Sequence, residues 1–427
     1  MKRKFTAELN DWIESGAEAP LLVLGPRGVG KTYTVCEFAE SRRERSIYVN
    51  LETDAAARLF FERGGFTSLK ETVYKFLGIQ TDEPELISDE KASAEKNSAL
   101  KSAAEIAMTE DILLVIDEIQ ACGALCELLK APYTPFGIKI ILITSFAPQA
   151  LLSAFKCVFL APMSFDEFLE GTGREWYSEL IKGHFEKKRA VPQMIHNELL
   201  EMWDDYLHVG GMPEAVIEYA RDNESVNIEE RQRRCLSAIY DDIDRYGDSK
   251  MRDVLDVIPE HMALGRRRFT LNLIRRGVTI SMYRDAIEDL VANRIVYRST
   301  RLDHEDSFGL TLFDCGLAGY LLKSSHEIAV ERLEYQQLCA SLASGLGVKY
   351  DLFYYESETG AKTDLLYRTE SGFVPVEFNQ GRGRRGKSLS KIAENRTVAY
   401  IVFVGRDNYK LENSELKIPV YASFLLR

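Results

Sequence analysis

Between Leu21 and Leu160 five short apolar runs, LLVLG (21–25), SIYVN (46–50), ILLVI (112–116), KIILIT (139–144) and CVFL (157–160), alternate with longer stretches of helical period. Strands buried on both faces lose the polar alternation of half-exposed ones, so this rhythm predicts a parallel sheet covered by helices, an α/β domain. Beyond Phe165 the runs stop. Charged amphipathic segments such as 166–188 and 227–246 predict a helical region in their place. Ile274–Ser299 reads as a helix pair whose second member is Tyr283–Asn293, ending in a short strand over Arg294–Ser299, the pattern of a winged helix. From Ser307 strands return, at 351–357, 363–369, 372–379, 399–405 and 419–426, behind a helix over Glu331–Leu346. The predicted domains are 1–165, 166–250, 251–305 and 306–427.

A chain of 427 residues exceeds what one hydrophobic core usually serves, which agrees with several domains. No apolar run approaches the roughly 20 residues of a membrane helix, and the first residues lack the apolar stretch of a signal peptide, so no membrane contact and a cytoplasmic location are expected. The seven cysteines are scattered and odd in number, which opposes a disulfide framework, and no cysteine or histidine group has metal-site spacing. A net charge of −12 opposes wholesale coating of nucleic acid. Two local basic stretches remain, one with Arg266, Arg267, Arg268, Arg275, Arg276 and Arg284, the other with Arg382, Arg384, Arg385 and Lys387. Each reads equally as a solvated face, and so does the acidic stretch Asp241, Asp242 and Asp244, with contact to a neighbouring subunit as the alternative.

The sharpest chemistry lies where the first apolar run ends. Gly25-Pro26-Arg27-Gly28-Val29-Gly30-Lys31-Thr32 fits G-x-x-x-x-G-K-[ST] between a buried strand and a helix. Such a loop turns backbone N–H groups toward phosphates at a helix N-terminus, where the dipole also favours anions. Lys31 would neutralise the β and γ phosphates, the Thr32 hydroxyl would ligate Mg²⁺, and Tyr33 follows as a further nucleotide contact. ILLVIDEIQ (112–120) supplies the partner: its apolar residues drive a strand into the sheet and leave Asp117 and Glu118 at the C-terminal end, where ligands of α/β sheets bind. Asp117 would hold the magnesium through water and Glu118 would orient and deprotonate the attacking water. The polar residues needed to sense the γ phosphate, on a strand between these two motifs, are Thr144 and Ser145; a strand-end cap is the equal alternative for them. No N-K-x-D guanine signature occurs, so ATP is the expected nucleotide.

GPRGVGKT, YVNLE, LLVIDEIQ, APMSFDEFLEG, YLHVGGMPEAV, LFDCGL and VPVEFN together resemble a prokaryotic family of AAA-superfamily ATPases that carry a C-terminal domain of restriction-endonuclease-like fold. The resemblance implies an order of ATPase, helical extension, winged helix and nuclease-like domain. It also implies a PD-(D/E)xK pattern in which Asp364 and Glu377 take the carboxylate positions, with Glu334 on the preceding helix as a third acid. The lysine position of that pattern reads Asn379, a neutral amide that can serve neither as cation nor as proton shuttle, with Lys387 and Arg382 as loop substitutes. A degenerate nuclease module is therefore expected. Where similar proteins place an arginine before the last core strand, this chain has only Lys156, so the resemblance supplies no arginine finger there. GGMPEAV implies a close backbone approach followed by a helix from Pro213.

The expected function is an ATP-binding and ATP-hydrolysing switch with ATP and Mg²⁺ as cofactors. DNA, another protein or a second copy are candidate partners. Two rival readings stand beside it: a metal-dependent DNA nuclease regulated by ATP, and a DNA-binding protein that uses its winged helix.

Overall fold

The computed structural model describes residues 3–42, 45–79, 112–222, 225–323, 330–346, 352–357, 362–378, 392–393, 396–412 and 415–426. These divide into two compact units. One runs over Arg3–Gly25 and Gly30–Leu160; the other holds the described residues from Ala161 onward, and Pro26–Val29 cluster with it.

The first unit is a five-stranded parallel sheet in the order β2-β3-β4-β1-β5, with β1 Leu21–Leu24, β2 Arg45–Asn50, β3 Ile112–Asp117, β4 Lys139–Thr144 and β5 Lys156–Phe159. All five predicted strands are present. β1, β3 and all but the first residue of β4 are buried throughout, which is why their sequences carry no polar alternation. Helices α1 (Thr6–Glu14), α2 (Lys31–Glu40), α3 (Ala55–Arg63), α4 (Leu69–Phe76), α5 (Gly123–Leu129) and α6 (Gln149–Ala154) connect and cover the strands. One face of the sheet packs Leu22, Leu114, Ile116, Ile140 and Leu142 against Ala57, Phe61, Val73, Leu125 and Leu151 of these helices. Each of the larger side chains contributes about 1.5–3 kcal/mol on burial. Asp54 caps α3 by accepting from the Ala57 N–H at 2.9 Å, and Ser68 caps α4 through the Glu71 N–H at 3.2 Å.

The second unit opens with helices: α7 Phe165–Gly171, α8 Glu175–Glu186, α9 Gln193–Val209, α10 Pro213–Asp222, α11 Ser225–Tyr246, α12 Ser249–Leu264 and α13 Ile280–Ala292. The hairpin β6 (Val296–Arg301) and β7 (His304–Leu312) follows, then α14 Cys315–Lys323 and α15 Val330–Leu346. Strands β8 Leu352–Glu356, β9 Lys362–Thr369, β10 Gly372–Phe378, β11 Ile401–Gly405, β12 Lys410–Glu412 and β13 Glu415–Pro419 complete it. The eight strands form one sheet, β12-β13-β11-β10-β9-β8-β6-β7, in which β6 pairs parallel with β8. The hairpin after α13 thus continues into the C-terminal strands, and the expected boundary at 305/306 falls inside β7.

Two expectations are corrected. The first member of the helix pair expected from Ile274 onward is absent: only a 3₁₀ turn at Leu271–Leu273 forms there, and Gly277 at φ 81° breaks the backbone before α13. The apolar run 419–426 is not a strand but a buried 3₁₀ segment, Val420–Leu425, packed against α9 and α15. Short runs that are buried on all sides read alike whether extended or coiled.

The GGMPEAV, MSFDEFL and LFDCGL segments meet at one buried junction in this unit. Gly210 takes φ 81°, and a Cβ on it would lie 2.4 Å from Asp314 Oδ1. The Gly211 N–H donates to Asp314 Oδ2 at 2.7 Å while its carbonyl accepts from the Met163 N–H at 2.7 Å. A Cβ on Gly211 would lie 2.2 Å from the Met163 carbonyl oxygen, and one on Gly316 2.4 Å from that of Val209. The close backbone approach therefore requires glycine at these positions, and α10 starts at Pro213 as expected. The Leu317 N–H gives Asp314 a further bond at 2.9 Å, so the carboxylate joins the LFDCGL segment to GGMPEAV, which the Gly211 carbonyl joins in turn to Met163. Burial pushes its pKa up to about 6 in spite of these bonds.

Candidate active site

The loop between β1 and α2 carries the glycine-rich pattern. Gly28 and Gly30 take φ 86° and 93°, values that only glycine adopts cheaply. Gly30 is the N-cap of α2, and no side chain caps the helix, so its first-turn amides are offered to an anion instead. Lys31 is buried, and its Nζ donates to the Gly25 carbonyl at 2.8 Å, which holds the ammonium against the loop. Val29 is buried beneath the loop and Tyr33 is exposed on α2. Arg27 pairs with Asp242 at 2.6 Å. That contact corrects the solvated-face reading for Asp242, which is buried, whereas Asp244 is exposed and pairs with Arg252.

Sheet order brings the second motif alongside. β4 lies between β1 and β3, the placement expected for the strand that carries Thr144 and Ser145. The Thr32 hydroxyl donates to Asp117 Oδ2 at 2.6 Å, so the first turn of α2 and the end of β3 converge. Asp117 is fully buried. Burial pushes its carboxyl pKa up and the adjacent Glu118 charge adds to this, while bonds from the Thr32 and Tyr48 hydroxyls and the Glu118 amide pull it down. A buried carboxylate in that state, beside a hydroxyl oxygen, is suited to a hard divalent cation. No group of three or more acidic, His or Cys side chains with metal-site geometry occurs among the described residues. Magnesium would thus rest on Thr32 and, through water, on Asp117, with phosphate oxygens and further waters completing the shell, the usual habit of Mg²⁺ in phosphate sites.

Glu118 follows in the left-handed region, at φ 52°, an uncommon conformation for a side-chain-bearing residue. It is buried, and its carboxylate accepts from the Ser145 hydroxyl at 3.2 Å. Thr144 and Ser145 are likewise buried at the end of β4.

Three residues near these groups, Tyr48, Asn50 and Gln120, were not singled out in the sequence. The Tyr48 hydroxyl on β2 donates to Asp117 Oδ2 at 2.9 Å, and Asn50, which faces Asp117 in the register, donates to the Tyr48 hydroxyl at 3.3 Å. Burial and the Asp117 charge push the Tyr48 pKa upward, which keeps it a donor. Gln120 joins Glu118 to β4. The available signal was the position of these polar groups at the C-terminal ends of a strand and its neighbour, the edge at which an α/β sheet binds ligands.

The proposed nuclease carboxylates lie elsewhere, in the second unit. Asp364 on β9 is buried, ion-pairs with Arg267 and accepts from the Phe378 N–H at 2.8 Å. Glu377 is buried on the adjacent β10. Glu334 on α15 is buried and bonded to Arg406 Nε at 2.8 Å. Asn379, Arg382, Arg384, Arg385 and Lys387 lie outside the described residues. Lys156 is exposed at the start of β5. Of the first arginine stretch, Arg267 is spent on Asp364 and Arg284 pairs with Asp306 at 3.0 Å, while Arg266, Arg268, Arg275 and Arg276 are exposed. No helix among the described residues is long and apolar enough to cross a membrane.

Fold and site together define the class of the first unit: an α/β P-loop fold, with a parallel sheet and the phosphate loop between β1 and the following helix α2. A family model described as Domain of unknown function (DUF8612) matches residues 200–327. No curated protein matches the chain. Similar solved structures include a Walker-type ATPase of Pyrococcus abyssi, 17% identical over 75% of this chain and 95% of that one, with a TM-score of 0.42. The RuvB Holliday junction branch migration motor of Thermotoga maritima is 13% identical over 76% and 94%, with a TM-score of 0.30. The Orc1 protein of Aeropyrum pernix in complex with DNA is 14% identical over 76% and 93%, with a TM-score of 0.27.

Proposed function

We propose that the protein binds ATP with Mg²⁺ at the loop Gly25–Thr32 and hydrolyses it slowly, as an AAA-type switch. The observation that carries this reading is the 2.6 Å bond between Thr32 and Asp117, which sets a hydroxyl and a buried carboxylate side by side at the mouth of an uncapped helix. The loop amides and Lys31 would hold the β and γ phosphates, and the Thr32 and Asp117 oxygens the cation, which when bound neutralises charge developing on the phosphates. Glu118 would take the proton of the attacking water, and Thr144 and Ser145 would meet the γ phosphate. Phosphoryl transfer asks mainly for positioning and charge stabilisation, which these groups supply. Release of phosphate from ATP by the purified chain, dependent on Mg²⁺ and lost on Glu118→Gln, tests the reading; equal turnover by the variant would refute it.

The C-terminal sheet reads best as a degenerate, binding or structural module. The guanidinium of Arg267 engages Asp364, which opposes use of that carboxylate for a catalytic cation. DNA is the candidate partner favoured by the exposed Arg266, Arg268, Arg275 and Arg276.

A further inference from the structure

We infer that Gln120 is a positioning residue for hydrolysis, holding the Glu118 carboxylate against the end of β4 and tying its orientation to Thr144. The inference rests on the ATPase reading of this site and adds a residue to it.

The side-chain amide of Gln120 is used at both ends. Its oxygen lies 2.7 Å from the Thr144 hydroxyl, whose single proton it shares with the Phe146 carbonyl at the same distance. Its nitrogen donates to Ser145 Oγ at 2.8 Å and to the Glu118 carboxylate. Ser145 in turn donates to the same Glu118 oxygen at 3.2 Å, which closes a ring of three side chains, Gln120, Ser145 and Glu118, with Thr144 attached through the amide oxygen. A carboxylate only accepts hydrogen bonds, so the amide nitrogen must face Glu118 and the oxygen is left for Thr144.

Backbone geometry supports the arrangement. Glu118 turns left-handed at φ 52° and starts the 3₁₀ turn Ile119–Ala121, which carries Gln120 back toward β4. A non-glycine residue in that region is strained and persists only where its surroundings hold it. A carboxylate that accepts neutral donors on one oxygen stays directed. A rotation of Thr144 toward a phosphate oxygen would withdraw one bond from Gln120, which gives the γ phosphate a route to Glu118 through a single amide.

The test compares wild type, Glu118→Gln, Gln120→Leu and Gln120→Glu for MgATP affinity and kcat. Gln120→Leu is expected to lower kcat at least tenfold with the ATP Kd within twofold of wild type. The isosteric Gln120→Glu keeps the shape and replaces the donor nitrogen by an acceptor oxygen, and it is expected to show the same split between kcat and Kd. If both variants keep the wild-type kcat while Glu118→Gln is dead, the inference about Gln120 falls and the ATPase reading stands. If Kd and kcat weaken together, Gln120 is merely structural and the inference is likewise overturned. Absence of hydrolysis by the wild type overturns both.

Discussion

The Thr32 hydroxyl and the Asp117 carboxylate lie 2.6 Å apart although 85 positions separate them in the chain. Parallel pairing that inserts β4 between β1 and β3 brings the start of α2 and the end of β3 to the same edge of the sheet. The proposed magnesium and triphosphate contacts all stem from that convergence.

Replacing Asp117 by Asn keeps the shape of the side chain and removes the charge. Mg²⁺-dependent gain in ATP affinity should shrink at least tenfold, while affinity measured without metal changes little. Fluorescent-nucleotide titrations with and without Mg²⁺ would show it, and an unaltered metal response would exclude Asp117 from the cation site.

Glu118→Gln should bind MgATP as wild type does and turn it over about 10²–10⁴ times more slowly, the range ascribed to a positioned general base. Single-turnover phosphate release is the relevant measurement.

Asp314→Ala leaves the Gly211 and Leu317 amides without their acceptor inside the second unit, and a loss of about 2–4 kcal/mol in unfolding free energy is expected from two buried donors. Gly211→Ala should cost at least as much, since its Cβ would meet the Met163 carbonyl at 2.2 Å. Chemical denaturation of the two variants measures both.

The same carboxyl predicts a pH dependence. Its folded-state pKa of about 6 lies above the ordinary 3.8, so the folded chain binds the proton more tightly than the unfolded one. The Asp314 contribution to stability is greatest below pH 4, declines between about pH 4 and 6, and is flat above. Melting temperatures of wild type minus Asp314→Asn, followed over pH 4–7.5, should fall across that window; a flat difference would contradict the assignment.

The local part of the site was legible in the sequence because local rules produce it. Glycine spacing and a following Lys-Thr define the phosphate loop, and five apolar residues ahead of Asp117 and Glu118 define a buried strand ending in acids. Tyr48, Gln120 and Asp314 escaped notice because their roles come from pairing. Tyr48 reaches Asp117 only once β2 is set beside β3, Gln120 reaches β4 only through the left-handed turn at Glu118, and Asp314 finds Gly211 across 103 positions. The C-terminal 3₁₀ segment was misread for a related reason, since burial on every side removes the periodicity that separates strand from coil. The pairing of β6 with β8 has no local signature at all.

The most direct test of the central claim is calorimetric titration of the intact chain with ATP in the presence of Mg²⁺. The account predicts a saturable association with one nucleotide per chain that disappears in Lys31→Ala while the variant remains folded by circular dichroism. No association at millimolar nucleotide, or equal affinity in Lys31→Ala, would contradict it.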